Sequence, residues 1–127
     1  MGINMREKGK TGELEFCNRF QPFFPDILKR NLLQTREGGA DISGCAPFQI
    51  EVKRCQKIEQ PKWWRQVLAA CDPSDIPIVA FRQNNCPWRF LLPFNLMVNG
   101  AEGYVEASED VFLKLVLHEY GENPNDN

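Results

Sequence analysis

The sequence predicts an α/β (α+β) fold, in which a central mixed five-stranded sheet is flanked by helices in the order α-β-β-β-α-β-β-α. Three kinds of observation lead to this prediction: apolar residues spaced every three or four positions, short runs of β-branched and aromatic residues, and turn-forming residues between them. With 127 residues the chain has about the length of one domain. We therefore expect a single domain over residues 1–120 and a flexible C-terminal tail over residues 121–127.

The first helix is expected to begin near Thr11, which can cap it, and to end before Pro22. Helical spacing places Glu13 beside the apolar stripe, so its side chain should point inward. Glu15 lies about 200° away from Glu13 around a helix and should face water. The stripe itself is formed by Phe16, Phe20 and Phe24.

The remaining elements follow from the same patterns. Pro61 suits the first position of a second helix, and Trp63 falls off the apolar face of that helix. Ser108 can cap a last helix that runs to about Tyr120 and is too apolar to lie on the surface without a partner. The apolar face of the second helix is expected to contain Trp64, Val67, Leu68 and Cys71. The five predicted strands cover residues 27–35, 40–44, 48–54, 76–82 and 88–92.

A group of charged side chains on the strand 48–54 is the most informative chemical feature. Side chains alternate along a strand, so Glu51 and Lys53 share one face. If a three-residue turn at 45–47 closes a hairpin, Asp41 lies opposite Glu51, with the two Cβ atoms about 5 Å apart. Two carboxylates at this separation can hold one hard cation such as Mg²⁺, and Lys53 could orient a water or stabilise charge at phosphorus. The alternative is an ordinary solvated sheet face.

Composition limits the other possibilities. The five cysteines form no C-x-x-C pair and there is one histidine, so neither a disulfide framework nor a zinc site is expected. Residues 1–65 contain 12 Lys+Arg and 8 Asp+Glu, whereas residues 66–127 contain 3 and 9, so a phosphate-binding surface is expected in the first half. No apolar run is long enough to span a membrane, and no signal peptide is evident. We expect a cytoplasmic protein of a prokaryote or a phage.

The segments 8–16 (KGKTGELEF), 38–41 (GGAD) and 49–53 (QIEVK) together resemble the PD-(D/E)xK nuclease superfamily, and within it the archaeal-type Holliday-junction resolvases. The resemblance covers roughly residues 6–95 and implies a restriction-endonuclease-like core. It implies that Asp41 and Glu51 bind Mg²⁺, which Mn²⁺ can replace, together with the backbone carbonyl of Val52. It also implies that Lys53 is the catalytic lysine and that Glu13 helps to hold metal or water. Ala40 departs from the family pattern, which usually has proline there.

From this resemblance we expect a Mg²⁺-dependent DNA endonuclease that is selective for branched DNA and acts as a homodimer, with the apolar last helix as a candidate interface. The same fold hosts exonucleases, nickases, restriction and repair enzymes, and inactive DNA-binding proteins, so these remain alternatives, as does a protein-interaction module. Residues expected to contact DNA are Lys10, Arg36, Arg54, Lys57, Lys62, Trp63, Arg65 and Gln66.

Overall fold

The computed structural model describes residues 5–31 and 41–121 of the chain, with side chains from Lys10 onward. The described part contains three α-helices, which are α1 (Met5–Phe20), α2 (Gln60–Ala70) and α3 (Glu109–Tyr120). It contains six strands, which are β1 (Lys29–Arg30), β2 (Ile42–Ser43), β3 (Phe48–Arg54), β4 (Ile76–Arg82), β5 (Arg89–Pro93) and β6 (Tyr104–Ser108). The predicted tail beyond residue 121 lies outside the described residues.

The strands form two sheets instead of the single five-stranded sheet that the sequence predicted. Four strands lie in the order β3-β4-β5-β6, with β3 and β4 parallel and the other two pairs antiparallel. The short strands β1 and β2 pair with each other in a separate antiparallel ribbon. The mixed character of the main sheet and the flanking helices were predicted correctly. The number of strands was wrong, and the element order is α-β-β-β-α-β-β-β-α.

The extra strand, β6, was missed for a local reason. Its sequence Tyr-Val-Glu-Ala-Ser has few large apolar residues, and it runs directly into α3 without any turn residue. Its extended conformation is fixed by pairing with all five residues of β5, a long-range contact that local sequence does not reveal.

Most predicted boundaries lie close to the observed ones. Strands β3 and β4 have the predicted bounds, and β5 is shifted by one residue. Ser108 caps α3 by accepting a hydrogen bond from the Val111 backbone N–H at 3.4 Å. Helix α1 begins at Met5 rather than Thr11, because the helical backbone continues through the preceding turn and places Thr11 inside the helix. Predicted strand residues 32–35 and 40 lie outside the described residues.

The main sheet separates two apolar layers. On one face, α1 and α3 pack against β3, β4 and β5 through a cluster of aromatic rings that includes Phe16, Phe20, Phe90 and Phe112. On the other face, α2 packs through Trp63, Trp64 and Val67. The apolar last helix therefore finds its partner in the core of its own chain. No helix among the described residues is long and apolar enough to cross a membrane.

The position of Trp63 corrects the sequence prediction. Trp63 was expected to lie off the apolar face of α2, but it is only 4% exposed and its ring centroid lies 5.3 Å from that of Phe81. Leu68, which was expected on the buried face, is 49% exposed. Helix α2 is rotated relative to the prediction because both tryptophans pack on the sheet, and this places Leu68 on the solvent side.

The predicted hairpin between residues 40–44 and 48–54 is also corrected. Strand β2 pairs with β1, and the backbone contact of Asp41 with β3 is a hydrogen bond from its N–H to the Ile50 carbonyl at 3.0 Å. The turn before β3 is closed by Phe48 N–H and the Cys45 carbonyl at 2.8 Å. The ladder position that would have placed Asp41 directly opposite Glu51 is therefore not formed. Asp41 nevertheless reaches Glu51 through its side chain.

Candidate active site

The residues singled out by the sequence line one cavity of about 340 Å³, on the α2 side of β3 and near the free edge of that strand. Strand β3 is an edge strand of the main sheet, so one of its backbone edges is not paired with another strand of that sheet. The cavity is lined by Glu13, Asp41, Glu51, Val52, Lys53, Arg54, Cys55, Glu59, Lys62, Trp63 and Gln66. The structure brings Glu13, Asp41, Glu51 and Lys53 together around this cavity.

Asp41 and Glu51 form a pair of carboxyl groups, of which Asp41 is buried and Glu51 is partly buried. Asp41 is 9% exposed, and its Oδ2 accepts a hydrogen bond from the Val52 backbone N–H at 2.7 Å. The pKa of Glu51 is raised to about 7, first by burial and then by the neighbouring charge of Asp41, and a hydrogen bond between the two carboxyl groups acts in the same direction. Lys53 opposes this rise and Glu13 adds to it. The pair is therefore held so close that one proton or one cation between the carboxylates is favoured.

The backbone of Val52 faces the same pair. The N–H and C=O of a strand residue point to the same edge of the strand. Because the Val52 N–H is bonded to Asp41, its carbonyl oxygen lies on the edge of β3 where Asp41 lies. Two carboxylates and one carbonyl oxygen are thus gathered at this edge, and oxygen donors of this kind suit a hard divalent cation.

Lys53 and Gln66 form the next part of the wall. The Lys53 ammonium donates a hydrogen bond to Gln66 Oε1 at 2.9 Å. Gln66 lies on α2, one turn from the buried Trp63, so the rigid packing of α2 fixes the direction of the Lys53 side chain. Lys53 follows Glu51 on the same face of β3, as the strand periodicity predicted.

Glu13 enters the cavity from α1. It is 7% exposed, as its predicted inward position requires, and its Oε1 accepts a hydrogen bond from Arg30 Nε at 2.8 Å. Among residues 10–31 and 41–121, no three side chains of His, Cys, Asp or Glu are grouped closely enough to hold a metal ion. The oxygen donors gathered at this edge of β3 are the Asp41 and Glu51 carboxyl groups and the Val52 carbonyl, whereas Glu13 is paired with Arg30.

The sequence predicted that Glu15 faces water, but the structure places it otherwise. It is partly buried, and its two oxygens accept hydrogen bonds from Arg54 Nε at 3.0 Å and from Arg82 Nη1 at 2.7 Å. A water-facing orientation was inferred from α1 alone. In the folded chain the ends of β3 and β4 cover that side of the helix.

The residues predicted to contact DNA are only partly gathered at the site. Arg54, Lys62, Trp63 and Gln66 line the cavity, whereas Lys10, Lys57 and Arg65 are exposed outside it. The side chain of Lys57 is 86% exposed, and both Lys57 and Lys62 lie about 4 Å from Glu59. Trp63 is a core residue and offers no exposed ring face for stacking. Arg36 lies outside the described residues.

Sequence reasoning missed three residues of this site. Arg30 binds Glu13, and Cys55 and Glu59 line the cavity. Arg30 lies on β1, seventeen positions from Glu13, and no spacing rule connects a helix residue with a residue of a separate ribbon. Glu59 directly precedes α2 and follows the E-x-K strand, and this position after the strand was the signal in the sequence that pointed to it.

Comparison with known proteins bears on the fold. No protein-family model matches the chain, and a search of curated proteins finds no match. Among solved structures, the chain is similar to that of Archaeoglobus fulgidus Hjc, a Holliday junction resolvase from an archaeal hyperthermophile. The match has a TM-score of 0.51 and 16% sequence identity, and it covers 85% of this chain and 99% of the other. It shows that the two proteins share a fold.

Proposed function

We propose that this protein is a metal-dependent DNA endonuclease that hydrolyses phosphodiester bonds, with a preference for branched DNA such as a Holliday junction. The observation that carries the proposal is the Asp41–Glu51 pair, largely shielded from solvent, with Lys53 beside it, on a fold like that of a junction resolvase. Two adjacent carboxyl groups with little access to solvent are costly for the folded chain unless a cation or a proton neutralises them, so a binding role explains why they are there.

The proposed cofactor is Mg²⁺, which Mn²⁺ can replace, held by Asp41, Glu51 and the Val52 carbonyl. Bound there, it would supply positive charge that polarises the phosphoryl group and lowers the pKa of a coordinated water. The chain contributes the fixed geometry: Asp41 is held by the Val52 N–H, and Glu51 by the rigid strand β3. Glu13, already paired with Arg30, would accept a hydrogen bond from a water near the pair.

Lys53 is the proposed residue for contact with the scissile phosphate. Its ammonium group, directed by Gln66, can donate hydrogen bonds to a non-bridging phosphate oxygen, where negative charge grows during attack. In the reaction a water oxygen forms a bond to phosphorus and the water releases a proton to the solvent, while the bond to the 3′ or 5′ leaving oxygen breaks and that oxygen gains a proton. Arg54 and Lys62 on the cavity wall are the proposed contacts for neighbouring phosphates.

Two strands of a junction must be cut, so we propose a homodimer with one site in each subunit. Helix α3, which the sequence favoured as the interface, buries Phe112 and Val116 in its own core and has Val111 and Leu117 exposed. Sedimentation of the protein with and without junction DNA would measure the stoichiometry.

The test is cleavage of three substrates: a four-way junction, a nicked duplex and a linear duplex, each with Mg²⁺ and with EDTA. We expect Mg²⁺-dependent cuts in the junction, and at least a 1000-fold loss of rate in Asp41→Asn, because the asparagine leaves the cation with one carboxylate. Asp72→Asn is the matched control, since Asp72 is exposed and lies outside the cavity. Preferred cutting of a nick or of a free end would indicate a nickase or an exonuclease. DNA binding without cleavage, equal in the wild type and Asp41→Asn, would overturn the proposal in favour of a binding protein.

A further inference from the structure

Glu15 connects α1 to the ends of two strands. Each of its carboxylate oxygens accepts a hydrogen bond from a different arginine, Oε1 from Arg54 at the end of β3 and Oε2 from Arg82 at the end of β4. Both acceptor atoms of the carboxylate are thus engaged. Glu13, two residues earlier, is bonded to Arg30 of β1. One turn of α1 is therefore attached to three strands through two carboxylates.

The two arginines depend on Glu15. Arg54 and Arg82 are direct partners in the parallel register of β3 and β4, so two positive charges stand side by side. Like charges at paired positions repel each other, and the Glu15 carboxylate between them removes this repulsion. From the other side, Arg54 Nη1 donates to Asn84 Oδ1 at 2.5 Å and Arg82 Nε donates to the Cys86 carbonyl at 2.9 Å. The turn between β4 and β5 thus holds both guanidinium groups in position.

The contact between α1 and β3 is unusually close at this point. A Cβ on Gly12 would lie 2.8 Å from the Cβ of Arg54, so the helix backbone rests directly on the Arg54 side chain. Arg54 follows Lys53 in β3, and Gly12 precedes Glu13 in α1. A movement of Arg54 would therefore shift the part of α1 that carries Glu13.

We propose that Glu15 is a positioning residue: by holding Arg54 and Arg82 together, it fixes the turn of α1 that directs Glu13 toward Arg30 and the Asp41–Glu51 pair. The consequence for catalysis rests on the proposed nuclease function, whereas the consequence for the Glu13–Arg30 contact does not. Partly exposed ion pairs contribute little to folding stability, so the main effect of this network is on geometry.

The first test measures the Glu13–Arg30 contact itself. In Glu15→Gln the amide keeps its carbonyl for one arginine, but its NH₂ meets a donor of the other, so the bridge is broken without a change of size. We expect hydrogen exchange of the Arg30 side-chain Nε–H, followed by NMR, to become at least tenfold faster. The backbone amides should keep their protection from exchange. Unchanged exchange in a folded Glu15→Gln variant would overturn the proposal.

The second test is a rescue. Arg82→Met removes the donor that faces the glutamine amide, so the double variant Glu15→Gln/Arg82→Met should recover most of the wild-type Arg30 exchange rate. Arg82→Met alone keeps the Glu15–Arg54 pair and should accelerate exchange only about twofold. If Glu15→Gln does not fold, the twofold acceleration of Arg30 exchange in Arg82→Met is the test. Unchanged Arg30 exchange in Arg82→Met would then contradict the proposal. Failure of the double variant to recover also contradicts it, because a general loss of packing is not restored by a second substitution.

Kinetics give the catalytic consequence. We expect kcat for junction cleavage to fall about tenfold in Glu15→Gln and to recover in the double variant. A rise in KM with constant kcat would show that Glu15 serves DNA binding and would overturn its positioning role. If the wild type cleaves no DNA, the proposed function fails, and the exchange measurement still decides the role of Glu15.

Discussion

Replacing Glu51 by glutamine should stabilise the metal-free protein at alkaline pH. The folded protein raises the pKa of Glu51 from 4.5 to about 7, first through burial and then through the charge of Asp41. A raised carboxyl pKa means that the folded state binds the proton more tightly than the unfolded chain does. The stabilising contribution is complete below pH 4.5 and is lost as the pH rises through 7.

The magnitude follows from the two pKa values. With one unit of pKa shift equal to about 1.4 kcal/mol, ionisation of Glu51 reduces the free energy of unfolding by about 1 kcal/mol at pH 5 and by about 3 kcal/mol at pH 8. Glutamine does not ionise. The difference in unfolding free energy between Glu51→Gln and the wild type should therefore rise by about 2 kcal/mol in favour of the variant from pH 5 to pH 8.

The assay is urea unfolding followed by tryptophan fluorescence, in EDTA, at pH 5 and pH 8 for both proteins. Added Mg²⁺ should then reduce the advantage of the variant at pH 8: at a concentration ten times its Kd, it stabilises the wild type by about 1.4 kcal/mol and the variant much less. Glu59→Gln is the control, because Glu59 lines the same cavity but its side chain is exposed beside Lys62, so no gain is expected. The reasoning is refuted if Glu51→Gln shows no pH-dependent gain and Mg²⁺ stabilises both proteins equally.

Two further predictions concern a catalytic contact and a turn. Lys53→Met should lower kcat for junction cleavage by at least 100-fold with little change in DNA affinity. Gln66→Ala should lower kcat less, about fivefold, since Gln66 only directs the lysine. Single-turnover kinetics measure both effects, and an equal loss in the two variants would contradict these roles. Gly44→Ala should reduce the free energy of unfolding by at least about 3 kcal/mol, because its φ is +88° and a Cβ would lie 2.1 Å from the Ile27 carbonyl oxygen. Gly100→Ala is the control, because Gly100 has φ +82° but no atom within 4 Å of the added Cβ, and it should cost only about 1 kcal/mol in the same urea unfolding experiment. Equal losses of unfolding free energy in the two variants would show that the close approach to Ile27 does not cause the destabilisation at Gly44.

The sequence alone determined the elements that local pattern governs. Strands β3 and β4 were bounded correctly because their apolar runs are flanked by turn residues, and α3 because Ser108 and the acidic residues after it mark a helix start. The grouping of Asp41, Glu51 and Lys53 was also predictable, since Glu51 and Lys53 share a strand face and Asp41 precedes the same strand by a short turn. Their roles in catalysis stay proposals.

The tertiary structure decided what depends on distant parts of the chain. Strand β6 exists through its pairing with β5, and the exposed side of α2 was set by the packing of two tryptophans on the sheet. Asp41 meets Glu51 by its side chain instead of by a hairpin ladder. Glu15 binds two arginines, and Glu13 binds a third, because three strands end next to α1. Local spacing fixes which face of an element a residue occupies, but only the packed fold determines which charged groups meet that face.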